Sequence, residues 1–305
     1  MQFSDFGLDS KIMSTVEHLG FSEPTEIQQQ AIPAAMTGHD LIASSKTGSG
    51  KTLAFIIPAM QRLSKNRALS KRDPRVLILT PTRELAKQVF TQLRMFTSGS
   101  AFKAVLILGG ENFNDQVKVL EKEPHFIVAT PGRLADHLSQ GHFHLSGLEL
   151  LILDEADRML DMGFIHDIKK ILSKLPVKRQ NLLFSATFSE EIRKLAKGLV
   201  NDPVEISVSP RNTTVSSVKQ WIHPVDKKRK SELLCHLIHK HQWEQALVFS
   251  RTKHGANKLV KQLLAAGITA IAIHGNKSQG ARTKALAEFK AGSVRILVAT
   301  DIAAR

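Results

Sequence analysis

The chain has 305 residues, and 42 Lys and Arg against 28 Asp and Glu give it a formal charge of +14. That length exceeds the usual single domain, so two domains are expected, and the basic excess favours a polyanionic partner over a membrane or an acidic small substrate. Cys235 is the single cysteine, which excludes a disulfide or cysteine-ligated metal within one chain, and neither a signal-peptide layout nor an apolar run of roughly 18 residues is present, so a soluble cytoplasmic protein is expected.

In chain order, the first patterned segment is Gly20-Phe21-Ser22-Glu23-Pro24-Thr25-Glu26-Ile27-Gln28, where Thr25 and Gln28 have the spacing of a capping box. Residues 40–43 are then strand-like, with an apolar run over 41–43, followed by Ser44-Ser45-Lys46-Thr47-Gly48-Ser49-Gly50-Lys51-Thr52 and a helical pattern. Small residues let backbone N–H groups approach a triphosphate, Lys51 reaches its β and γ phosphates, and the Thr52 hydroxyl ligates Mg²⁺. The strict phosphate-loop pattern wants glycine where this chain has Ser45.

Basic residues gather over 62–75 and again in Lys227-Lys228-Arg229-Lys230, without interleaved aromatics; either run is a solvated surface or a nucleic-acid contact. Strand-like runs follow at 76–80, 103–108, 126–130, 148–153, 181–185 and 204–208, alternating with helical patterns, which predicts a mostly parallel sheet covered on both faces. Pro81-Thr82-Arg83 and Thr130-Pro131-Gly132-Arg133 each stand where a strand gives way to a helix. Free N–H groups of a first helical turn, with an arginine beside them, grip phosphates there, although both segments also read as plain helix starts.

At the end of the run over 148–153 stands Asp154-Glu155-Ala156-Asp157. Carboxylates at the carboxyl end of a parallel strand suit Mg²⁺ at Asp154 and an attacking water at Glu155; a solvated acidic turn is the plainer alternative. Ser185-Ala186-Thr187 ends another run and reads by itself as a helix cap. A linker is expected over 209–217 between a first domain (1–208) and a second (218–305). In the second, runs at 219–225, 246–250, 269–273 and 294–300 are strand-like, helical spacing covers 230–239, 254–266 and 279–290, and His274-Gly275 reads as a strand-end turn.

These segments together resemble the DEAD-box RNA helicases, whose name Asp154-Glu155-Ala156-Asp157 spells, over nearly the whole chain. The resemblance implies an α/β fold of two RecA-like domains and an ATP-dependent RNA helicase that uses ATP with Mg²⁺. It assigns Phe3, Phe21, Thr25 and Gln28 to a Q motif that recognises adenine. Ser45, Lys46, Thr47, Gly48, Ser49, Gly50, Lys51, Thr52 and Asp157 complete the ATP site, with Lys51, Asp154 and Glu155 as the reactive centre and Thr52 and Asp154 toward the metal. Ser185 and Thr187 are implied to couple hydrolysis to strand separation, their hydroxyls hydrogen-bonding the acidic motif, Asp157 included.

Implied RNA contacts are Pro81, Thr82, Arg83, Gly109, Gly110, Thr130, Pro131, Gly132 and Arg133, then Arg251 of motif IV, Arg282 of the QxxR motif and Thr300 at the start of motif V. Backbone contacts carry no base information, so binding largely independent of RNA sequence is expected. Details of wording, including Ser44-Ser45-Lys46 and Gly109-Gly110-Glu111-Asn112, resemble the bacterial RhlE/SrmB-like branch. The sequence stops at Arg305, within motif V and before the family's motif VI, so the resemblance implies an incomplete second domain and weakened hydrolysis, arginines of that kind being worth about 10³ to 10⁵ in turnover. An ATP-dependent RNA clamp without productive turnover and a DNA-translocating ATPase are the alternative classes. The RNA target, and any ribosome-assembly or RNA-decay partner, is not legible.

Overall fold

Short runs that are apolar at every position cannot leave either face in water, and they form strands covered from both sides. The computed structural model describes residues 1–44, 48–66, 73–208 and 219–300. Its contacts divide the chain into two units, Met1–Thr213 and Thr214–Arg305. The linker expected over 209–217 lies outside the described residues.

The first unit holds β1 (Leu41–Ser44), β2 (Val76–Leu79), β3 (Ala104–Ile107), β4 (Phe126–Ala129), β5 (Leu150–Leu153), β6 (Gln180–Ser185) and β7 (Val204–Ser207). They pair in the order β3-β4-β2-β5-β6-β1-β7, every pair parallel. Alternation sorts each strand between two cores. Leu41, Ala43, Val76, Ile78, Leu150, Ile152, Leu182 and Phe184 join one face, while Ile42, Leu77, Leu79, Leu151, Leu153 and Leu183 join the other.

On the first face lie α1 (Ser10–His18), α2 (Glu26–Met36), α3 (Lys51–Lys65) and α4 (Arg83–Thr97), whose buried residues include Ile12, Ile27, Phe55 and Leu93. Opposite them are α5 (Phe113–Leu120), α6 (Pro131–Ser139), α7 (Ala156–Asp161), α8 (Ile165–Leu172) and α9 (Glu190–Lys197), which bury Leu120, Leu134, Met159, Ile168 and Ile192. A short 3₁₀ turn, Phe3–Phe6, precedes α1.

The second unit has a parallel sheet of three strands among the described residues, in the order β8 (Ala246–Ser250), β10 (Ile296–Thr300), β9 (Ala270–Ile273). Of its helices, α10 (Lys230–Lys240) and α11 (Lys253–Ala265) bury Ile238, Ala256 and Leu263 against one face. Ala285 of α12 (Gln279–Lys290) is buried on the other with Leu297 and Ala299. The strand expected over 219–225 is absent: residues 219–226 form no ladder, and Trp221 and Ile222 are exposed. Adjacent Trp221 and Ile222 do not alternate in polarity, and Pro224 has no N–H to donate.

Within the basic run over 62–75, of which residues 67–72 lie outside the described residues, Lys65 is exposed while Arg62 and Arg75 turn inward. Arg62 donates to Gln180 Oε1, and Arg75 forks onto Glu149 while also donating to the carbonyls of Leu63 and Asn66. Arg75 and Glu149 are both buried and precede β2 and β5 on the sheet's amino-terminal side, away from the strand ends that carry the motifs. Removing one partner strands the other charge. Glu149→Gln is expected to lower the stability of the first unit by about 3 kcal/mol, read from its denaturant-unfolding transition.

Candidate functional site

A parallel ladder brings all its carboxyl ends to one edge, so the strand order dictates which loops are neighbours. From one end of that edge to the other come Gly109-Gly110 after β3, Thr130 after β4, Pro81 after β2, Asp154 after β5, Ser185 at β6 and the phosphate loop after β1. Ladder bonds run past the strand ends and fix these exits: Thr80 N–H donates to Ala129 O, Thr130 N–H to Ile107 O and Asp154 N–H to Leu79 O.

Within the phosphate loop, Gly48, Ser49 and Gly50 are described, whereas Ser45, Lys46 and Thr47, expected above to bind ATP, lie outside the described residues. Gly50 has φ +93, and a Cβ there would stand 2.5 Å from Gln28 Nε2 and 2.8 Å from Thr25 Oγ1. Gln28 Nε2 donates to Gly50 O at 3.0 Å and Gln28 Oε1 accepts from Thr25 N–H at 2.9 Å. The capping box is therefore real, and the same side chain ties the start of α2 to the phosphate loop. Gln28 is buried by these contacts but keeps one N–H and one lone pair for a further partner.

The Phe21 ring is exposed beside this segment. Phe3 is not: it is 1% exposed, set edge-on against Phe6 within the core. The turn Phe3–Phe6 points this ring inward.

Lys51, the first residue of α3, has a buried Nζ with no hydrogen-bond partner among the described residues, and Asp154 has a buried Oδ1 in the same condition. Burial pushes the Asp154 carboxyl up to about 6, against the opposing pull of Lys51 and with further push from Glu155 and Asp157. A buried ammonium and a buried carboxylate oxygen without partners are what an anionic ligand with its counter-cation would complete. No cluster of three or more His, Cys, Asp or Glu that could hold a metal alone occurs among the described residues. The set fits Mg²⁺ held through Asp154 and Thr52 together with phosphate oxygens.

Glu155 sits in the left-handed region at φ 52 and ψ 51, as the cap of α7. Its Oε2 accepts from Arg158 Nη1 at 2.9 Å, both side chains being largely buried. Arg158 escaped the motif reading, although its i,i+3 spacing from Glu155 is a signal for such a pair. Asp157 Oδ2 accepts from both the N–H and the Oγ1–H of Thr187, at 3.1 and 2.9 Å, and Ser185 Oγ donates to Thr187 O at 2.7 Å. The end of β6 is thereby bonded to the acidic motif.

Farther along the edge, Thr82 Oγ1 caps α4 by accepting from Leu85 N–H, and Pro131 opens α6. Thr130 does not cap its own helix; its Oγ1 accepts from Gly109 N–H at 3.4 Å. Gly110 has φ +77, and a Cβ there would stand 2.5 Å from Arg83 Nη1, so only a glycine lets that guanidinium lie against the turn. Arg133 Nη1 donates to Glu111 O at 2.9 Å and its guanidinium lies 5.3 Å from the centre of the Phe113 ring. Pro81, Thr82, Arg83, Gly109, Gly110, Thr130, Pro131, Gly132 and Arg133 thus occupy the exits of three adjacent strands.

In the second unit, Arg251 is exposed after β8, Arg282 is half-buried on α12 and Thr300 is buried at the end of β10. Thr252 caps α11 by accepting from Gly255 N–H, and His274 is buried in the turn after β9 with Nε2 3.0 Å from Asn257 Oδ1. Residues 301–305 lie outside the described residues. No helix among the described residues is long and apolar enough to cross a membrane.

Comparison with known proteins agrees with this geometry. A family model described as DEAD/DEAH box helicase matches residues 25–195, and one described as Helicase conserved C-terminal domain matches residues 229–305. The DEAD-box ATP-dependent RNA helicase CshA of Geobacillus kaustophilus is 41% identical over 99% of this chain and 64% of its own length. The ATP-dependent RNA helicase CshA of Listeria monocytogenes is 39% identical over 100% of this chain and 58% of its own. The chain thus spans less than two thirds of these relatives, and they bear the name CshA rather than RhlE or SrmB.

Among solved structures, a DEAD box protein from Methanococcus jannaschii aligns with TM-score 0.64 and 36% identity, over 100% of this chain and 81% of that one. Saccharomyces cerevisiae Dbp5 bound to RNA and ADP BeF3 aligns with TM-score 0.84 and 27% identity, over 100% and 77%.

The raised Asp154 carboxyl gives the site a pH signature. It is ionised above about 6 and takes up a proton as pH falls through that value, and the proton competes with a divalent cation. Divalent-dependent nucleotide affinity is expected to be flat above pH 7 and to fall by about tenfold per unit once below the midpoint, as titrated with a fluorescent nucleotide.

Proposed function

Because the chain belongs to the DEAD/DEAH box helicase family, we propose that it is an RNA-stimulated ATPase that uses hydrolysis to open short RNA duplexes or remodel RNA–protein assemblies, a cytoplasmic enzyme of the CshA type. The observation that carries the nucleotide half is a pair of buried groups without partners among the described residues, Lys51 Nζ and Asp154 Oδ1, beyond the ends of β1 and β5. Those strands flank β6, which puts their ends about 10 Å apart, a span suited to a polyphosphate with its metal.

In this reading each residue of the chain has one task. Lys51 and the backbone of residues 48–50 hold the β and γ phosphates, and Gln28 and Phe21 face the adenine. Mg²⁺, when bound, neutralises charge that develops on the transferring phosphoryl group. Glu155 orients the attacking water and receives its proton at the carboxylate. Asp157, held by Thr187, reports at the end of β6 what happens at the phosphates.

The RNA half rests on where the arginines stand. Arg83 and Arg133, with the first turns of α4 and α6, present cationic groups and backbone N–H groups at neighbouring strand exits, as successive phosphates require. Nothing in that set addresses base edges, which supports recognition of the RNA backbone. Arg251, Arg282 and Thr300 are the corresponding proposals in the second unit.

Lys51→Ala is expected to weaken ATP binding by about 10- to 100-fold, one charge-assisted contact being lost. Glu155→Gln should leave ATP binding near its original strength and lower RNA-stimulated turnover by about 10²- to 10⁴-fold. Nucleotide titration and phosphate release, with RNA and DNA compared as activators, check both. Unchanged turnover in Glu155→Gln, or equal activation by DNA, would contradict the assignment.

A further inference from the structure

Behind the Gly109-Gly110 turn runs a hydrogen-bonded chain of side chains that lies outside every motif. Leu108 O is an acceptor and nothing else, so the group 2.8 Å from it is the Gln116 amide nitrogen acting as donor. Gln116 Oε1 then faces His137 Nε2 at 3.2 Å, and only a protonated Nε2 makes that contact a bond. His137 Nδ1 is left as an acceptor, facing His142 Nδ1 at 3.2 Å, so His142 carries its proton on Nδ1. One direction of donation is fixed from His142 through His137 and Gln116 to Leu108.

The neutral ring that this order demands is the form present near neutral pH. Burial above all, then the neighbouring His142 and Arg133, holds the His137 pKa down to about 4. The same imidazole stacks on Phe113, centroids 4.0 Å apart and planes within 10°, and Arg133 lies over Phe113. His137 therefore touches both supports of this edge: the backbone entering Gly109-Gly110 through Gln116, and the Arg133 guanidinium through Phe113. His137 is fully buried and Gln116 is 5% exposed, so neither side chain is a surface contact itself.

We propose that Gln116 and His137 are positioning residues for polyanion binding, fixing the Gly109-Gly110 turn and Arg133 so that they meet successive RNA phosphates without reordering. The inference rests on the reading of the β3, β4 and β2 exits as an RNA face. Satisfied buried networks rigidify what they touch, and binding to a surface already ordered loses less entropy.

The test is fluorescence anisotropy of a labelled single-stranded RNA with the protein and a non-hydrolysable ATP analogue. Gln116→Leu and His137→Phe, the latter keeping a ring against Phe113, should each weaken RNA binding about tenfold, one hydrogen bond's worth, while nucleotide affinity stays unchanged. His137→Gln keeps a donor within reach of Gln116 and should restore most of the affinity. Arg83→Ala reports on the RNA face independently. If it weakens binding while Gln116→Leu and His137→Phe bind at full strength, the relay is overturned and the RNA face stands; if all three bind at full strength, both fall. Imidazole ¹⁵N spectra of the unsubstituted protein decide the point without a substitution: His137 protonated at Nε2 and His142 at Nδ1 are expected, and His137 protonated at Nδ1 overturns the proposal.

Discussion

The parallel ladder of the first unit is the constraint from which the rest follows. Its central strands are apolar on both faces and buried on both, so no polar chemistry can stand on the sheet itself, and what the strands carry must emerge at their ends. Parallel pairing sends all the carboxyl ends the same way. The crossover order then separates two kinds of exit: β3, β4 and β2 deliver glycines, threonines and arginines, and β5, β6 and β1 deliver carboxylates, hydroxyls and the phosphate loop. Where β2 and β5 pair, the two regions touch.

That edge is held in a state that costs free energy without a ligand. Lys51 Nζ and Asp154 Oδ1 are buried without partners among the described residues, and Glu155 keeps a left-handed backbone that costs a non-glycine residue about 1–2 kcal/mol. Two dense cores hold these groups in place. The polar ties between neighbouring exits are local: Gln28 to Gly50, Thr187 to Asp157, Thr130 to Gly109. The first joins the start of α2 to the phosphate loop, and the other two each join one strand's exit to its neighbour's.

Much of this was legible in the sequence because the signals were short-range. Apolar runs bounded by glycine, proline and hydroxyl residues located the strands of the first unit, and motif spacing located the exits. The segment over 219–225 misled because β-rich composition says nothing about a pairing neighbour, and Trp221 and Ile222 remain in solvent. The inward turn of Phe3 was not legible because distance along the chain does not give the direction of a ring; its contact with Phe6 turns it into the core.

The residues that the motifs did not reveal act through partners distant in sequence or through a backbone atom. Gln116 looks like an ordinary helix residue until Leu108 O is seen beside it, and His137 until Phe113 and His142 are. Arg158 was the exception, since its partner is one turn away. Core packing and strand order are written in composition and period, whereas hydrogen-bond direction is written only in three dimensions.

The central claim is that one sheet edge joins a nucleotide site to an RNA surface, and linkage makes it measurable. The affinity of a single-stranded RNA should be determined with and without a non-hydrolysable ATP analogue, and that of the analogue with and without RNA. The account predicts that each ligand tightens the other by the same factor, and that Thr187→Ala, which removes the side-chain bond to Asp157, reduces that factor. Affinities that are independent of one another in the unsubstituted protein would contradict it.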